Sequence, residues 1–307
     1  MSNVLFLRAP SQDTGSLDRY ESTFTASGYR SSSVPVLETV FMNMETVTDI
    51  VRHGGRHGAV IVTSARACEA WGRVVDVLER EHMSGSDWSS TPFYVVGKST
   101  ASVLNAIGSA HPHSRFAPTD IRGESSGTSE QLARFILKDL ESTDTPRRRP
   151  LLYLTGDKNR DTLPGILRGG NIQLDPLQVY QTQGSSTFAE DLKVVLEASS
   201  PTDSGIWWIV FFAPSAAEFV TPFLRDHFDL RSLEPTSSTR HPVRIASIGP
   251  TTSTFLRDKL NLWVDAVALK PTPEDLIEVI SAHDKILVDR ALSMPSPWPQ
   301  AQYGLPR

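Results

Sequence analysis

Three short units occur twice along this chain, in the same order, and that repetition limits the possible folds more than any other feature. Residues Ile61-Val62-Thr63-Ser64-Ala65-Arg66-Ala67-Cys68-Glu69-Ala70-Trp71 read against Phe211-Phe212-Ala213-Pro214-Ser215-Ala216-Ala217-Glu218-Phe219. Tyr94-Val95-Val96-Gly97-Lys98-Ser99-Thr100-Ala101-Ser102 reads against Ile245-Ala246-Ser247-Ile248-Gly249-Pro250-Thr251-Thr252-Ser253. Gly127-Thr128-Ser129-Glu130-Gln131-Leu132 then pairs with Pro271-Thr272-Pro273-Glu274-Asp275-Leu276. A fourth unit, residues 4–10 against 151–156, comes first in one set and last in the other. The simplest topology that satisfies this order inserts one whole domain into its sister.

Short apolar runs at 4–7, 60–63, 93–96, 151–155, 207–212 and 244–248 alternate with helix-length amphipathic stretches. That alternation is the pattern of a parallel sheet covered by helices. After residues 60–63, for instance, Ala67, Ala70, Trp71, Val74, Val75 and Leu78 recur at the spacing of one buried helix face. The expected fold class is α/β, with two similar doubly wound parallel-sheet domains, one inserted in the other and joined by a two-stranded linker. Domain 1 would comprise residues 1–35 and 183–285, domain 2 residues 38–176, and the linker strands residues 34–38 and 177–183. At 307 residues the length suits two domains of roughly 150 each. The cleft between two such lobes is the default ligand site.

Composition removes several function classes. A net charge of −5 argues against a duplex nucleic-acid binder, which needs a broad basic face. A single cysteine, Cys68, rules out an internal disulfide, a cysteine zinc site and an iron–sulfur cluster. The longest apolar run, residues 206–213, is too short to span a bilayer, and an apparent strand at Val4 leaves no leader before the fold. The expectation is a cytoplasmic monomer without membrane contact. Residues 84–92 and 232–242 read as surface loops, Arg147-Arg148-Arg149 as a solvated loop, and 286–307 as a disordered, proline-rich tail.

Chemistry concentrates where strands run into helices. Thr63-Ser64, Gly97-Lys98-Ser99-Thr100, Thr155-Gly156, Pro214-Ser215 and Gly249-Pro250-Thr251-Thr252 all end a strand in small or hydroxyl residues. In a parallel sheet such turns gather at the carboxyl edge, offering free N–H groups and a helix's positive end to an anion. For any one of them helix capping is the better explanation, and five facing one cleft shift the balance towards anion capture. Gly97-Lys98-Ser99 is no P-loop, because Pro92 stands where the first glycine belongs. The eight histidines form no metal pattern, His111 and His113 having no evident carboxylate partner, and Gly54-Gly55-Arg56-His57-Gly58 reads as a polar turn. Cys68 reads as a packed helix thiol, and Ser64 and Ser215 lack a nucleophile elbow. Trp207 and Trp208, on opposite faces of one strand, read as core. Arg8 and Arg66, with Lys158, Arg160 and Arg168, are candidate partners for carboxylates. Tyr180 falls in the return crossing, where its phenol could face the cleft or pack at the hinge.

Thr63-Ser64-x-Arg66, Tyr94-Val95-Val96-Gly97-x-x-Thr100-Ala101, Gly123-Glu124, Val179-Tyr180-Gln181-Thr182, Phe211-Phe212-x-Pro214-Ser215 and Ile248-Gly249-Pro250-Thr251-Thr252 together closely resemble uroporphyrinogen-III synthase. The resemblance runs in order from Val4 to about Ile280. It implies a cofactor-free lyase of tetrapyrrole and haem biosynthesis that cyclises linear hydroxymethylbilane to uroporphyrinogen III. Water is lost, and ring D is inverted through a spiro-pyrrolenine. By position, Tyr180 matches the family tyrosine proposed to help the hydroxyl leave. Arg8, Thr63, Ser64, Arg66, Gly97, Thr100, Thr155, Gly156, Ser215, Gly249, Thr251 and Thr252 would line the cleft and hold substrate carboxylates. Ala213 stands where some members have serine, and Lys98-Ser99 where some have Asn-Ala, so only backbone donors carry over there. The implied partner is the small-molecule substrate, with transient hand-over from hydroxymethylbilane synthase, and neither metal nor nucleic acid. The rival reading is a non-catalytic two-lobed module that binds small anions or regulates.

Overall fold

The first strand is five apolar or buried residues long, the right length and character for a strand covered on both faces. The computed structural model describes residues 2–11, 18–142, 149–198, 206–230 and 241–293. It divides into two compact units, Met1–Glu38 with Gly184–Arg307, and Thr39–Gln183. Unit 1 opens with β1 (Asn3–Leu7), α1 (Arg19–Ala26) and β2 (Arg30–Ser33), and the chain leaves it through β3 (Leu37–Phe41). Unit 2 runs through α2 (Met44–His53), β4 (Ala59–Val62), α3 (Ala65–Arg80), β5 (Pro92–Val95) and α4 (Lys98–Ala110). It continues with β6 (Asp120–Arg122), α5 (Ser129–Ser142), β7 (Leu151–Gly156), α6 (Thr162–Gly169) and β8 (Leu174–Gly184). Unit 1 is completed by α7 (Phe188–Ala198), β9 (Trp207–Phe211), α8 (Pro214–His227), β10 (Phe228–Asp229) and β11 (His241–Ser247). Last come α9 (Pro250–Asp258), β12 (Ala266–Val267) and α10 (Pro273–Ser293).

Each unit holds one six-stranded sheet. Unit 1 has the order β10-β11-β9-β1-β2, with β12 also on β11, and unit 2 the order β3-β8-β7-β4-β5-β6. The ladders from β8 to β6 and all those of unit 1 are parallel. β3 pairs with β8; within unit 2 the Met42 N–H donates to the Val179 carbonyl at 2.9 Å.

Helices cover both faces of both sheets, so the inner strands bury nearly every residue. In unit 2, Val60, Val62, Leu152 and Leu154 face α2, α3 and α4, while Ile61, Tyr94, Leu151 and Tyr153 face α5 and α6. In unit 1, Leu5, Ile209, Phe211 and Ile245 face α7, α8 and α9, and Phe6, Trp208 and Val210 face α1 and α10. This is the doubly wound α/β arrangement the strand–helix alternation anticipates.

Four local readings need correction. The loop at 84–92 is no simple surface loop, because Trp88 is buried and donates its indole N–H to the Val51 carbonyl at 2.7 Å. The polar turn at 54–58 is anchored inward: His57 is buried, with Nε2 2.9 Å from Asp175 Oδ2. His111 does have a carboxylate partner, its Nε2 lying 2.7 Å from Asp76 Oδ1. Residues 286–293, assigned to a disordered tail, continue α10; prolines begin only at 295, beyond the helix. The remainder of that tail, most of the 232–242 loop, and Arg147 and Arg148 lie outside the described residues.

Candidate functional site

In unit 2 the chain runs from β4 outward to β5 and β6, then returns to the other side of β4 as β7. The carboxyl ends of β4 and β7 therefore flank a topological switch point, where doubly wound sheets bind ligands. Thr63 and Ser64 follow β4, and Thr155 and Gly156 end β7. Ser64 is spent as the N-cap of α3, its Oγ accepting from the Ala67 N–H at 3.2 Å. Arg66, the second residue of the helix, donates to Thr182 Oγ1 at 3.2 Å and places its guanidinium 5.8 Å from the Tyr180 ring centroid. Asp157 accepts the Thr182 N–H at 3.3 Å. Tyr180 is half-buried against the α2–α4 face. No group among the described residues hydrogen-bonds its hydroxyl. The structure thus brings Thr63, Ser64, Arg66, Gly156 and Tyr180 to one end of the sheet.

Gly97 opens α4 in extended conformation with no side-chain cap, so the first N–H groups of that helix stay available. Thr100 and Thr155, by contrast, are buried at 6% and 8% exposure, which leaves their hydroxyls little access to a ligand. Cys68 packs inside, with Sγ 3.7 Å from the Thr100 carbonyl. Burial, with Glu69 adding to it, pushes its thiol up to about 12, which makes it a poor nucleophile at neutral pH.

Unit 1 repeats the device. Its switch point lies between β1 and β9, whose carboxyl ends carry Arg8 and Ser215. α8 starts after Ala213 and α9 after Gly249, both without a side-chain cap and each with a proline in its first turn. Proline lacks an N–H, so one orphan donor is already gone and the next ones are offered. Ser215 and Thr251 are exposed at these openings, whereas Thr252 is 3% exposed and belongs to the core side of α9.

Arg8 is the sequence candidate whose geometry departs most from expectation. Its guanidinium pairs with Asp18 at 2.8 Å and lies 4.9 Å from the Tyr20 ring centroid, so its charge is already matched. Asp18 is also the N-cap of α1, accepting from the Tyr20 N–H at 2.9 Å. Burial by itself would raise the Asp18 pKa, but the Ser11 N–H, Arg8 and the Glu21 N–H outweigh it and hold the carboxyl at about 2. A depressed carboxylate pKa stabilises the fold above the ordinary value of 3.8 and loses that contribution as pH falls towards 2. Asp18→Asn is expected to cost about 2 kcal/mol at neutral pH. Urea melts of both proteins should show the difference shrinking between about pH 4 and pH 2. A constant difference across that window would refute the assignment.

The remaining cationic candidates follow β7. Lys158 and Arg160 are exposed, and Arg168 pairs with Asp161. Among the described residues no group of three or more His, Cys, Asp or Glu side chains is placed to hold a metal ion. Sequence reading missed Thr182 and Asp157, although Thr182 sits in the same motif as Tyr180, and it missed Asp18, whose capping role is signalled by its place before α1.

Two parallel α/β units, one nested in the sequence of the other, each with helix starts free of side-chain caps at the carboxyl edge of its sheet, define a class of two-unit α/β proteins suited to small anionic ligands. A family model described as uroporphyrinogen-III synthase HemD matches residues 18–278. The uroporphyrinogen-III synthase of Schizosaccharomyces pombe is 28% identical over 289 residues, covering 93% of this chain and 98% of that protein. The Saccharomyces cerevisiae uroporphyrinogen-III synthase is 26% identical over 281 residues, covering 88% and 93% respectively. The crystal structure of uroporphyrinogen-III synthetase from Helicobacter pylori aligns with 92% of this chain and 99% of its own at 16% identity, TM-score 0.44. The chain belongs to the uroporphyrinogen-III synthase family. Among the described residues no helix is long and apolar enough to cross a membrane.

Proposed function

We propose that this chain cyclises linear hydroxymethylbilane to uroporphyrinogen III, with Tyr180 assisting departure of the hydroxyl. The observation that carries the assignment of Tyr180 is its place at the switch edge of unit 2, with a hydroxyl that no group among the described residues engages. Such a phenolic O–H can donate to a ligand oxygen.

The chemistry asks for positioning more than for strong acid. The pyrrole nitrogen lone pair expels the hydroxymethyl oxygen, which takes a proton and leaves as water, and an azafulvene cation remains. Ring D attacks through its already substituted carbon to give a spiro-pyrrolenine. The older bond, from that same carbon to the methylene bridge of ring C, then breaks to leave a second azafulvene on ring C. The free carbon of ring D attacks it, and loss of a proton restores the aromatic pyrrole. Unassisted, the cation closes without inversion, so the protein's task is to hold the bent geometry. Arg66 and the helix openings at Gly97, Ser215, Gly249 and Thr251 are proposed to hold the substrate's carboxylates, supported by their free N–H groups. Thr63, Ser64 and Gly156 would line the edge of unit 2 beside Arg66. For Thr100, Thr155 and Thr252 the proposed contribution is the backbone, since their side chains are buried. Because the substrate closes spontaneously, direct hand-over from hydroxymethylbilane synthase in the cytoplasm would shorten its free lifetime.

Purified protein should be incubated with freshly generated hydroxymethylbilane and the products separated as type I and type III isomers after oxidation. Type III is expected to dominate, against type I alone in the protein-free control. Unchanged type I with measurable substrate binding would instead favour a non-catalytic anion-binding module.

A further inference from the structure

The ladder between β7 and β8 keeps step from Leu151↔Leu174 to Thr155↔Gln178, then jumps to Gly156↔Tyr180. Val179 is thus an extra residue in β8, a bulge of the kind that re-aims a neighbouring side chain. Strict alternation would send Val179 to the α2–α4 face and Tyr180 to the α5–α6 face. Instead both pack on the α2–α4 side, Val179 within that core and Tyr180 against it. That is also the side from which Arg66 approaches the ring.

Opposite the re-aimed ring stands Gly156. A Cβ at this position would lie 2.4 Å from Tyr180 Cζ and 2.6 Å from both Cε2 and Oη. Those separations are shorter than any van der Waals contact, so the ring occupies the space a side chain would fill. The atoms met are the phenol end of the ring, not backbone. An added methyl group therefore displaces the ring and leaves the strand in place.

We propose that Gly156, together with the bulge at Val179, is a positioning residue that seats the Tyr180 phenol, rather than itself being a substrate contact. The kinetic consequence rests on the catalytic reading of Tyr180 given above; the seat does not. Gly156→Ala is expected to fold, to lower kcat at least tenfold, and to leave KM within about threefold, because binding elsewhere on the edge is untouched. Gly156→Ala/Tyr180→Phe should be no slower than the slower single variant, since both changes remove one interaction. Multiplying losses, wild-type kcat in Gly156→Ala, or failure of that variant to fold by circular dichroism would overturn the proposal.

A second readout is independent of activity. In protein labelled with 13C at tyrosine Cζ, the Tyr180 signal is identified by its absence from Tyr180→Phe. It should shift in Gly156→Ala, while the signals of Tyr94 and Tyr20 stay in place. A stationary Tyr180 signal overturns the seat whatever the kinetics. If Tyr180→Phe keeps full activity, the catalytic reading fails, and a shifted signal still supports the seat.

Discussion

Trp71→Ala is expected to destabilise unit 2 by about 4 kcal/mol, the cost typical of emptying a fully buried aromatic site. Trp71 is completely buried on the inner face of α3. Its ring stands edge-on to Trp88 at 5.0 Å and to Phe93 at 4.9 Å, so three aromatic residues share the loss. Its indole N–H donates to the Phe116 carbonyl at 3.0 Å, which alanine leaves as a buried acceptor without that partner. Glycine at position 54 shows how full this region is: a Cβ there would lie 2.4 Å from Trp88 Cζ2. Collapse to fill the gap would have to move Trp88, which is fixed to the Val51 carbonyl. Calorimetry should place the affected transition roughly 10 °C lower. Hydrogen exchange should quicken in α3 and β5 before it does in β9. A shift of only a degree or two would mean that this cluster packs loosely, contrary to the distances.

That cluster also marks where sequence reasoning stops. Strands such as β4 and β9 were legible because parallel strands buried on both faces are continuous apolar runs. β2, which reads Arg-Ser-Ser-Ser, and β6, which reads Asp-Ile-Arg, carry no such signal. They are strands only because β1 and β5 offer partners, Val4↔Ser31 and Phe93↔Ile121. Trp88 lies in a stretch rich in serine and glycine, and its burial depends on Trp71, Val51 and Gly54, all distant in sequence. The inserted order of the sister units was readable from the repeated Thr63-Ser64 and Gly97-Lys98 elements, because repetition survives without knowledge of contacts.

The site was legible in part for the same reason. Turns that end parallel strands announce themselves by glycine, serine and threonine, so Gly97, Gly249 and Ser64 were found. What those side chains do was hidden. Ser64 caps its own helix, Thr252 turns inward, and Arg8 is claimed by Asp18 ten positions later. Each outcome depends on which groups the fold brings within 3 Å or so, a three-dimensional fact with no local signature. The bulge that turns Tyr180 is likewise invisible, since a register is a relation between two strands.

Tyr180→Phe is expected to keep the fold and slow formation of type III product roughly a hundredfold, the lower end for loss of a positioned proton donor. The lower end applies because the pyrrole nitrogen already drives the hydroxyl out. Phenylalanine keeps the ring that fills the space over Gly156 and faces the Arg66 guanidinium 5.8 Å away. Only the hydroxyl is lost, and no group among the described residues hydrogen-bonds it. The melting temperature should therefore move by no more than about 2 °C, within the range of a near-neutral substitution. Loss of transition-state assistance without loss of carboxylate contacts lowers kcat and spares KM. Slower enzymatic closure also gives the spontaneous reaction more time, so the type I fraction should rise with incubation. Single-turnover mixing followed by isomer separation measures both quantities at once. A variant that makes type III at the wild-type rate would show that the departing hydroxyl needs no phenol here, leaving the edge around Arg66 and Gly97 to act by conformation alone.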